Sequence, residues 1–262
     1  PRPPPPPPAA AARRLGAVGW VGISVVVFWA LAALLGPALL SRTGAQGGGG
    51  VFAPISAAHW LGTDYLGRDM LARVIEGARY TVGVAFAASL LASATGITLA
   101  LLAAASGRWI DGALSRTLDT FTAIPSKMFA LIMVAGFGSS VPMLIFTAAF
   151  IYVPGAYRIA RSLAVNVNAL DFVTVARARG ESTAYVMRHE ILPNITGPIL
   201  ADLGLRFVYV MLLLAGLSFL GLGVQPPAAD WGSLVRENIN ALPEAGASVI
   251  APAAAIASLT IA

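Results

Sequence analysis

The side chains that could carry chemistry in this sequence are concentrated in one polar stretch, residues 166–194, which lies between two apolar segments. Its charged side chains are three arginines and three carboxylates: Arg177, Arg179, Arg188, Asp171, Glu181 and Glu190. Mixed charges on short helices can bind the surface of another protein, but they do not make a nucleophile or a metal site. We therefore interpret the stretch as a docking loop, with an ordinary solvent-exposed helical hairpin as the alternative.

The residue pattern within this stretch predicts two short helices. The first, Ala169–Arg179, has apolar residues at helical spacing: Leu170, Val173 and Ala176. Gly180 can adopt the left-handed conformation that ends a helix. We expect Glu181 in the first turn of the second helix, where a carboxylate interacts favourably with the helix dipole, and Pro193 at the end of that helix.

The sequence offers little else for catalysis. It contains no cysteine, which excludes a thiolate nucleophile and a cysteine metal site. The only two histidines, His59 and His189, fall on opposite sides of the membrane in the topology derived below, so they cannot form one site. No G-x-x-x-x-G-K-[ST] motif for ATP phosphates occurs. We therefore predict no catalytic residue, no metal and no cofactor on this chain.

Four ionisable residues fall within or near apolar spans, where a charge is costly and usually faces a protein interior or a water-filled cavity. Lys127, two residues after Pro125, and Asp119, two helical turns earlier, are candidates for a translocation pathway, and they could pair only through a bend at Pro125. The alternative for Lys127 is contact with lipid headgroups. Asp202 and Arg206 have i, i+4 spacing, which predicts an ion pair within one helix.

The composition is that of a protein that lies in a membrane. Of 262 residues, 57% are hydrophobic and 11% are charged, whereas about a quarter of the residues in a soluble domain are charged. Several apolar runs exceed the roughly 18 residues that indicate a membrane-spanning helix. The net charge of +5 comes from arginines between these runs, without an aromatic-rich basic patch, so it does not indicate nucleic-acid binding.

The apolar runs predict an all-α integral membrane fold with about six spans. We expect a disordered proline-rich tail in residues 1–14, the first transmembrane helix in 15–40, and an external segment in 41–80 with an amphipathic helix from Tyr65. Residues 81–262 should form a five-helix core that contains the 166–194 loop. Its spans are expected at 81–105, 117–138, 142–163 with a break at Pro154 and Gly155, 198–223, and from 247 onward, with a short basic turn at 107–116.

Two features concern how these spans pack and end. Small residues at four-residue spacing in the second span predict close helix packing: Ala88, Ala92, Gly96, Ala100 and Ala104. The run Ser218–Gly223, followed by Pro226 and Pro227, should end the fifth span. The sixth, Ser248–Ala262, has only 15 residues where a crossing needs about 20, so we expect the natural chain to continue.

The distribution of basic residues predicts the orientation. With both termini in the cytoplasm, ten arginines lie inside and five outside, which agrees with the positive-inside rule. The protein is then a multi-pass protein of the plasma (inner) membrane. The 166–194 loop is cytoplasmic and residues 41–80 are external.

Three motifs together resemble a known family. They are L-G-T-D-Y-L-G-R-D from Leu61, A-R-A-R-G with R-H-E-I-L-P-N in the 166–194 loop, and L-S-F-L-G-L-G-V-Q-P-P with W-G at Trp231. Over Trp60–Ala262 the chain resembles the C-type permease of ATP-binding-cassette importers of the dipeptide, oligopeptide and nickel group. Two positions depart from the family's loop signature: Thr174 replaces its glutamate, and Glu190 stands where an apolar residue or histidine is usual.

The resemblance implies partners and site residues. A second homologous permease, two ATPase domains that bind ATP and Mg²⁺, an external substrate-binding protein and the lipid bilayer would be the partners, and nucleic acid would not. The loop residues implied to contact the ATPase are Ala176, Arg177, Ala178, Arg179, Gly180, Glu181, Leu192 and Pro193, with the alanines allowing close approach of the two backbones. Gln225 and Trp231 are candidates for docking the external binding protein.

The sequence leaves alternatives open for both the cargo and the class of transporter. Di- or oligopeptides are the expected cargo, and nickel chelates or other small solutes are the alternative. An ion-coupled secondary transporter is a further alternative, for which only Asp119 and Asp202 could serve as intramembrane carboxylates.

Overall fold

The computed structural model describes residues 16–40, 50–243 and 246–262. The helices, in chain order, are α1 (Ala17–Leu40), α2 (Met70–Ser106), α3 (Arg108–Phe121), α4 (Ser126–Phe137), α5 (Val141–Asn168), α6 (Asp171–Ala178), α7 (Thr183–Tyr185), a π-helical segment (Val186–Ile191), α8 (Leu192–Phe219), α9 (Trp231–Asn238), a 3-10 turn (Ile239–Ala241) and α10 (Ala247–Ile261). The all-α prediction is confirmed for this part of the chain. The predicted tail, residues 1–14, lies outside the described residues, as do residues 41–49 of the predicted external segment.

Within the described residues, four helical segments are long and apolar enough to cross a membrane. They are α1, α2, α5 and the continuous helix Thr183–Phe219, and the bent pair of α3 and α4 makes a fifth if it is counted as one span. The sixth predicted span corresponds to α10, an apolar helix of 15 residues. The chain is therefore a multi-pass membrane protein.

α2 begins at Met70, after the start predicted for the amphipathic helix and before the start predicted for the second span. The Oδ1 atom of Asp69 accepts a hydrogen bond from the backbone N–H of Ala72 at 2.8 Å and so caps the helix at Met70. α2 then continues for 37 residues to Ser106. The amphipathic helix predicted from Tyr65 therefore starts at Met70 and, as predicted, leads straight into the second span, because both belong to α2.

The small residues of α2 pack against α5, as predicted. Ala88, Ala92 and Ala100 are fully buried. A Cβ atom at Gly96 would lie 2.5 Å from the Cβ of Ala156 and 2.8 Å from the backbone nitrogen of Tyr157, so the two helices touch there. The strip brings the backbones of the two helices together in the centre of the bundle.

The third predicted span is two helices. α3 ends at Phe121, α4 begins at Ser126, and their axes are bent by 79°. Pro125 lacks the N–H that would continue the helix, and it disfavours helical geometry at the residue before it. The span predicted over 117–138 is thus broken between the two helices, and the prediction of a basic turn over 107–116 is wrong, since most of that stretch belongs to α3.

α5 passes through Pro154 without interruption, so the predicted break at Pro154 and Gly155 is wrong. Pro154 and Ala156 are buried in the bundle, and the close contact of Ala156 with α2 described above supports the backbone around the proline. A helix inside a bundle tolerates proline when neighbouring helices hold it in place.

The bundle has two ends, each with its own group of buried side chains. One, the α9 end, packs Trp231 and Leu234 of α9 against Met70 and Val74 of α2. The other, the loop end, packs α6 and the π-helical segment against the last turns of α2 and α5. The fifth predicted span ends at Phe219, close to the glycine-rich run that was expected to stop it.

Candidate functional site

The candidate docking loop begins with α6, which ends at Ala178, with Gly180 just beyond it as the predicted stop. The backbone N–H of Gly180 donates to the carbonyl oxygen of Arg177 at 3.0 Å, and that of Glu181 donates to the carbonyl oxygen of Ala176 at 3.2 Å. Gly180 has a φ of 85°, a left-handed conformation that is costly for residues with a Cβ. This pair of bonds is the Schellman motif, which satisfies the last carbonyls of a helix.

The second helix of the loop starts at Thr183, two residues after Glu181. Ser182 is its cap, and the Oγ atom accepts a hydrogen bond from the backbone N–H of Tyr185 at 3.2 Å. Glu181 precedes the cap and pairs with Arg179 at 3.7 Å. Glu181 is therefore not in the first helical turn, because a serine hydroxyl occupies the capping position instead.

The second helix does not end at Pro193, contrary to the prediction. α7, the π-helical segment and α8 form one continuous helix from Thr183 to Phe219. Pro193 follows the π-helical segment directly, in the first turn of α8, and Leu192 beside it is partly buried. The altered hydrogen-bond pattern of a π-helical turn accommodates the missing N–H of the proline. The loop is thus rigidly continuous with the span that follows it.

The inner face of α6 is fixed against the rest of the chain. Val173 is 0% exposed and Ala176 is 3% exposed. Both pack with Val186 and Ile191 of the π-helical segment. Ala176 therefore does not offer a small side chain to a partner, which corrects the implied role of this residue.

Arg177 is also engaged within the chain. Its guanidinium donates to the carbonyl oxygen of Ala105 at 3.2 Å and to Oδ1 of Asn168 at 3.0 Å. These bonds join α6 to the last turns of α2 and α5. Of the predicted contact residues, Arg177 thus has a structural role within the loop end.

The outer face of α6 exposes two apolar side chains, of which the sequence pattern placed Phe172 beside the apolar face and left out Val175. Phe172 is 40% exposed and Val175 is 55% exposed, one helical turn apart. Ala178 and Arg179 are exposed next to them. Phe172 and Val175 have i, i+3 spacing, as do Val173 and Ala176, so α6 has two apolar stripes side by side. The sequence pattern alone does not show which of the two is buried.

The two candidate pathway residues are not brought together. Asp119 pairs with Arg158 of α5, with 2.8 Å between Oδ1 and NH2. Lys127 lies in the first turn of α4 and is exposed, just past the break at Pro125. The span does bend by 79° after α3, but Asp119 is paired with Arg158 of α5 and does not pair with Lys127.

A small cavity of about 90 Å³ lies at this break. Its lining comes from the end of α3, the start of α4 and the middle of α5: Phe121, Thr122, Ile124, Ser126, Phe129, Phe150, Ile151 and Pro154. The three phenylalanines among them make one aromatic cluster, in which the Phe150 ring lies 5.0 Å from the Phe121 ring and 5.4 Å from the Phe129 ring. The break is therefore lined mostly by apolar side chains.

At the α9 end, Trp231 and Gln225 differ in accessibility. Trp231 is 0% exposed. Its indole Nε1 donates to the carbonyl oxygen of Val74 at 2.8 Å, and its ring packs 4.6 Å from that of Trp29. Trp231 is thus a core residue, and its candidacy for docking was wrong because its polar N–H is satisfied inside the protein. Gln225 is exposed, and its amide donates to the carbonyl oxygen of Gly223 at 2.9 Å.

The motif from Leu61 builds a buried group of charges that the sequence did not reveal. The carboxylate of Asp64, which is 0% exposed, accepts a hydrogen bond from Nε of Arg68 at 2.6 Å. Glu237 of α9 lies 3.6 Å from NH2 of Arg73 and 3.7 Å from NH2 of Arg68. The motif therefore ties the segment before α2 to α9.

Two carboxyl groups at this end have shifted pKa values. Burial raises the pKa of Glu237, against the opposing influence of Arg73 and Arg68. Burial also raises the pKa of Asp230, although hydrogen bonds from Ser218 and Ser233 act to lower it. Asp230 caps α9, since its Oδ1 accepts from the backbone N–H of Ser233 at 2.8 Å.

The predicted ion pair of Asp202 and Arg206 is present, with 2.6 Å between Oδ2 and NH2. His59 and His189 lie apart, since His59 pairs with Asp69 at 2.9 Å and His189 stacks on Tyr185 with ring centroids 4.6 Å apart. Among the described residues, no three side chains of the types that bind metals converge on one point. The described geometry thus presents an exposed loop surface and a broken span.

The chain is similar to known transport proteins. Residues 96–262 match the family described as binding-protein-dependent transport system inner membrane component. The dipeptide transport system permease protein DppC of Alkalihalophilus pseudofirmus is 35% identical over 233 residues, which cover 88% of this chain and 77% of that protein. A protein of Brucella suis, named as a candidate peptide transport system permease, is 33% identical over 218 residues, which cover 83% of this chain and 73% of that protein. A solved amino acid ABC transporter with histidines aligns with a TM-score of 0.49 and 20% identity, over 73% of this chain and 88% of that one.

Proposed function

The chain belongs to the family of inner membrane components of binding-protein-dependent transport systems, and from this membership we propose that it carries di- or oligopeptides as a permease subunit of an ATP-driven importer. The observation that supports the peptide cargo is the 35% identity with a dipeptide permease over 88% of the chain. As a member of this family the chain is a transport subunit, and ATP hydrolysis resides in separate subunits.

The proposed partners follow from this role. Two ATPase domains bind ATP and Mg²⁺, a second homologous permease completes the pathway, and an external binding protein delivers the peptide. ATP binding by the ATPase domains moves the permease pair between states that open to one side of the membrane and then to the other. The chain contributes the surface that receives this motion and half of the pathway.

The proposed ATPase contact is the outer face of α6, made of Phe172, Val175, Ala178 and Arg179. This set revises the one implied by the family resemblance, since Ala176 and Arg177 are held by their own chain. An exposed apolar patch rimmed by charge on a segment outside the spans is typical of a protein interface. Gly180 and Glu181 then set the angle to the second helix, and Leu192 and Pro193 lie where that helix enters the bundle.

The proposed orientation has both termini and the α6 loop in the cytoplasm. The ten-to-five distribution of arginines supports it. The α9 end is then external, and Gln225 remains a candidate contact for the binding protein because its side chain is exposed.

The proposed pathway passes the break between α3 and α4. Discontinuous spans expose backbone groups and line substrate sites in transporters. Lys127 lies directly after this break, and Asp119 directly before it. In this position Lys127 can attract the carboxylate of a peptide, whereas Asp119 is already paired with Arg158.

The test is uptake by the purified complex in proteoliposomes. The complex contains this chain, the second permease and the ATPase subunits, with the binding protein outside and ATP with Mg²⁺ on the ATPase side. We expect uptake of labelled dipeptide that requires ATP and persists when ionophores collapse ion gradients. Uptake that follows an ion gradient without ATP would identify a secondary transporter, and a metal chelate found on the purified binding protein in place of peptide would overturn the cargo.

A further inference from the structure

A charged pair lies inside the bundle, away from every contact assigned above. The Arg206 side chain is 5% exposed and the Asp202 side chain 17% exposed, and Asp202 Oδ2 accepts from NH2 at 2.6 Å and from Nε at 3.2 Å. Both residues are on α8, the span that is continuous with the α6 loop. Charges are kept at such depth only where they are paired and serve a function.

The guanidinium also reaches across to α5. Its NH1 donates to the carbonyl oxygen of Tyr152 at 2.9 Å. The Tyr152 hydroxyl in turn donates to the carbonyl oxygen of Tyr209 on α8 at 3.0 Å. The two helices are therefore joined by two hydrogen bonds in opposite directions, in addition to their apolar contacts.

This junction lies at the one internal proline of α5. Pro154 has no N–H for the carbonyl of Phe150, so α5 lacks a helical hydrogen bond at this level. Gly155 leaves room for the guanidinium, since a Cβ atom there would lie 3.1 Å from NH1 of Arg206. Arg206 thus rests on α5 where that helix is weakest against bending.

Only arginine can make this set of contacts. Its planar guanidinium presents several donors in fixed directions, so it serves a carboxylate on its own helix and a carbonyl on α5 at once. A lysine retains the charge and the pairing with Asp202, but its single nitrogen cannot reproduce the forked contact. Replacing Arg206 by lysine therefore removes the hydrogen-bonded contact with α5 and keeps a positive charge beside Asp202.

α5 and α8 are the two spans on either side of the α6 loop. A displacement of α6 moves both spans together only if they are tied beyond the loop, because α5 can otherwise bend at Pro154. We propose that Arg206 is the positioning residue that holds α5 and α8 as one unit, so that movement of the α6 loop reaches the middle of the bundle. This inference rests on the proposed coupling of the loop to an ATPase.

The test compares Arg206→Lys and Gly155→Ala with Arg161→Lys in the reconstituted complex. Arg161 is the control, since it is also an arginine that joins α5 to another helix, but it lies on α5 itself and pairs with Asp111 of α3. We expect peptide uptake per ATP hydrolysed to fall by about tenfold in the first two variants, a change within the range that residues on a coupling network produce, while hydrolysis continues. Arg161→Lys should retain the wild-type ratio.

A merely structural role would give a different result. The complex would then melt earlier or assemble in smaller amounts, uptake and hydrolysis would fall together, and their ratio would stay at the wild-type value, which would overturn the proposal. The cysteine-free chain also permits spin labels at Ser162 and Thr196, exposed positions on α5 and α8. We expect a broader distribution of distances between these labels in Arg206→Lys. An unchanged width would contradict the proposal that Arg206 holds α5 and α8 together.

The same preparation separates this inference from the proposed function. If wild-type complex shows no ATP-dependent peptide uptake, the proposed function fails. If wild-type complex transports, and Gly180→Val uncouples it while Arg206→Lys does not, the function stands and the assignment of Arg206 is wrong.

Discussion

The guanidinium of Arg177 donates a hydrogen bond to the carbonyl oxygen of Ala105, 3.2 Å away, and so a side chain of α6 caps the last turn of α2. Carbonyl groups in the last turn of a helix have no partner within it, and Arg177 supplies one while also contacting Asn168 of α5. The position of α6 is thereby set by the ends of two spans, and the loop is part of the bundle.

Replacing Arg177 by glutamine should destabilise the permease. The change removes a charged donor from two acceptors, and because Arg177 is exposed we expect a loss on the order of 1 kcal/mol in the free energy of unfolding. The measurement is the melting temperature of the purified protein in detergent. Arg179→Gln is the control, since Arg179 makes only a 3.7 Å pair with Glu181, and equal losses in the two variants would contradict the capping role.

Replacing Val175 by glutamate should release the ATPase subunits. A carboxylate without a partner, buried at an interface, costs enough to weaken binding by about tenfold or more. Copurification of the ATPase with tagged permease measures the effect. Ile239→Glu is the control, because Ile239 is another exposed β-branched residue, at the α9 end and 39% exposed against 55% for Val175, and it should leave the ATPase bound. Retention of the ATPase by Val175→Glu would rule out this face of α6.

Replacing Lys127 by methionine should alter transport without altering assembly. The substitution keeps the length of the side chain and removes the charge beside the break between α3 and α4. We expect a higher KM for peptide uptake and a normal amount of complex, measured as initial rates in proteoliposomes. An unchanged rate and an unchanged range of peptides would place Lys127 outside the pathway.

The stability of the α9 end should depend on pH through Asp230. Burial raises the pKa of this carboxyl in the folded state, so the folded protein binds the proton more tightly than the unfolded chain. Its contribution is then fully present below the ordinary carboxyl pKa of about 4 and is lost as the pH rises through the folded pKa. We expect the melting temperature to fall with rising pH above about 4, and to fall less in Asp230→Asn.

Glu237→Gln provides the comparison for that experiment. The pKa of Glu237 is raised in the same direction, so this variant should remove a separate share of the pH dependence. The double variant should then be the least sensitive to pH. If the melting temperature of Asp230→Asn depends on pH as in the wild type, Asp230 is not the source of the pH dependence.

Several elements could be predicted because one local rule dominated. The span over α1 follows from an apolar run, the end of α6 follows from Gly180, and the packing of α2 follows from small residues at four-residue spacing. In each case no competing signal was present in the same segment, so the local preference and the tertiary structure agree.

Two of the prolines within apolar runs show where such rules fail. Pro125 ends α3, whereas Pro154 lies inside an intact α5. Both have the same intrinsic effect on a helix, and the difference comes from the surroundings, since Pro154 is buried in the bundle and Pro125 is exposed. A pattern along the chain does not contain this information.

The residues of the candidate site were predicted only in part for the same reason, because the sequence does not show which side chains are buried. Val173 with Ala176, and Phe172 with Val175, are two apolar stripes on α6, and only packing against Val186 and Ile191 decides which is buried. Trp231 was misassigned for a related reason, because an aromatic residue after a proline-rich turn has the same sequence signal on a surface as in a core. Tertiary contacts decide both cases.

The most direct test of the central claim is the amount of peptide transported per ATP hydrolysed by complexes with Gly180→Val. A Cβ atom at Gly180 would meet nothing within 4 Å, so the strain of this variant comes from its φ of 85°, and it should cost on the order of 1 kcal/mol or more. Gly112→Val is the matched control, since Gly112 lies in α3 and is equally open. We predict that Gly180→Val complexes assemble and hydrolyse ATP but lose most of their transport per ATP, while Gly112→Val complexes retain it. A wild-type ratio in Gly180→Val would contradict the claim that the α6 loop couples ATP hydrolysis to transport.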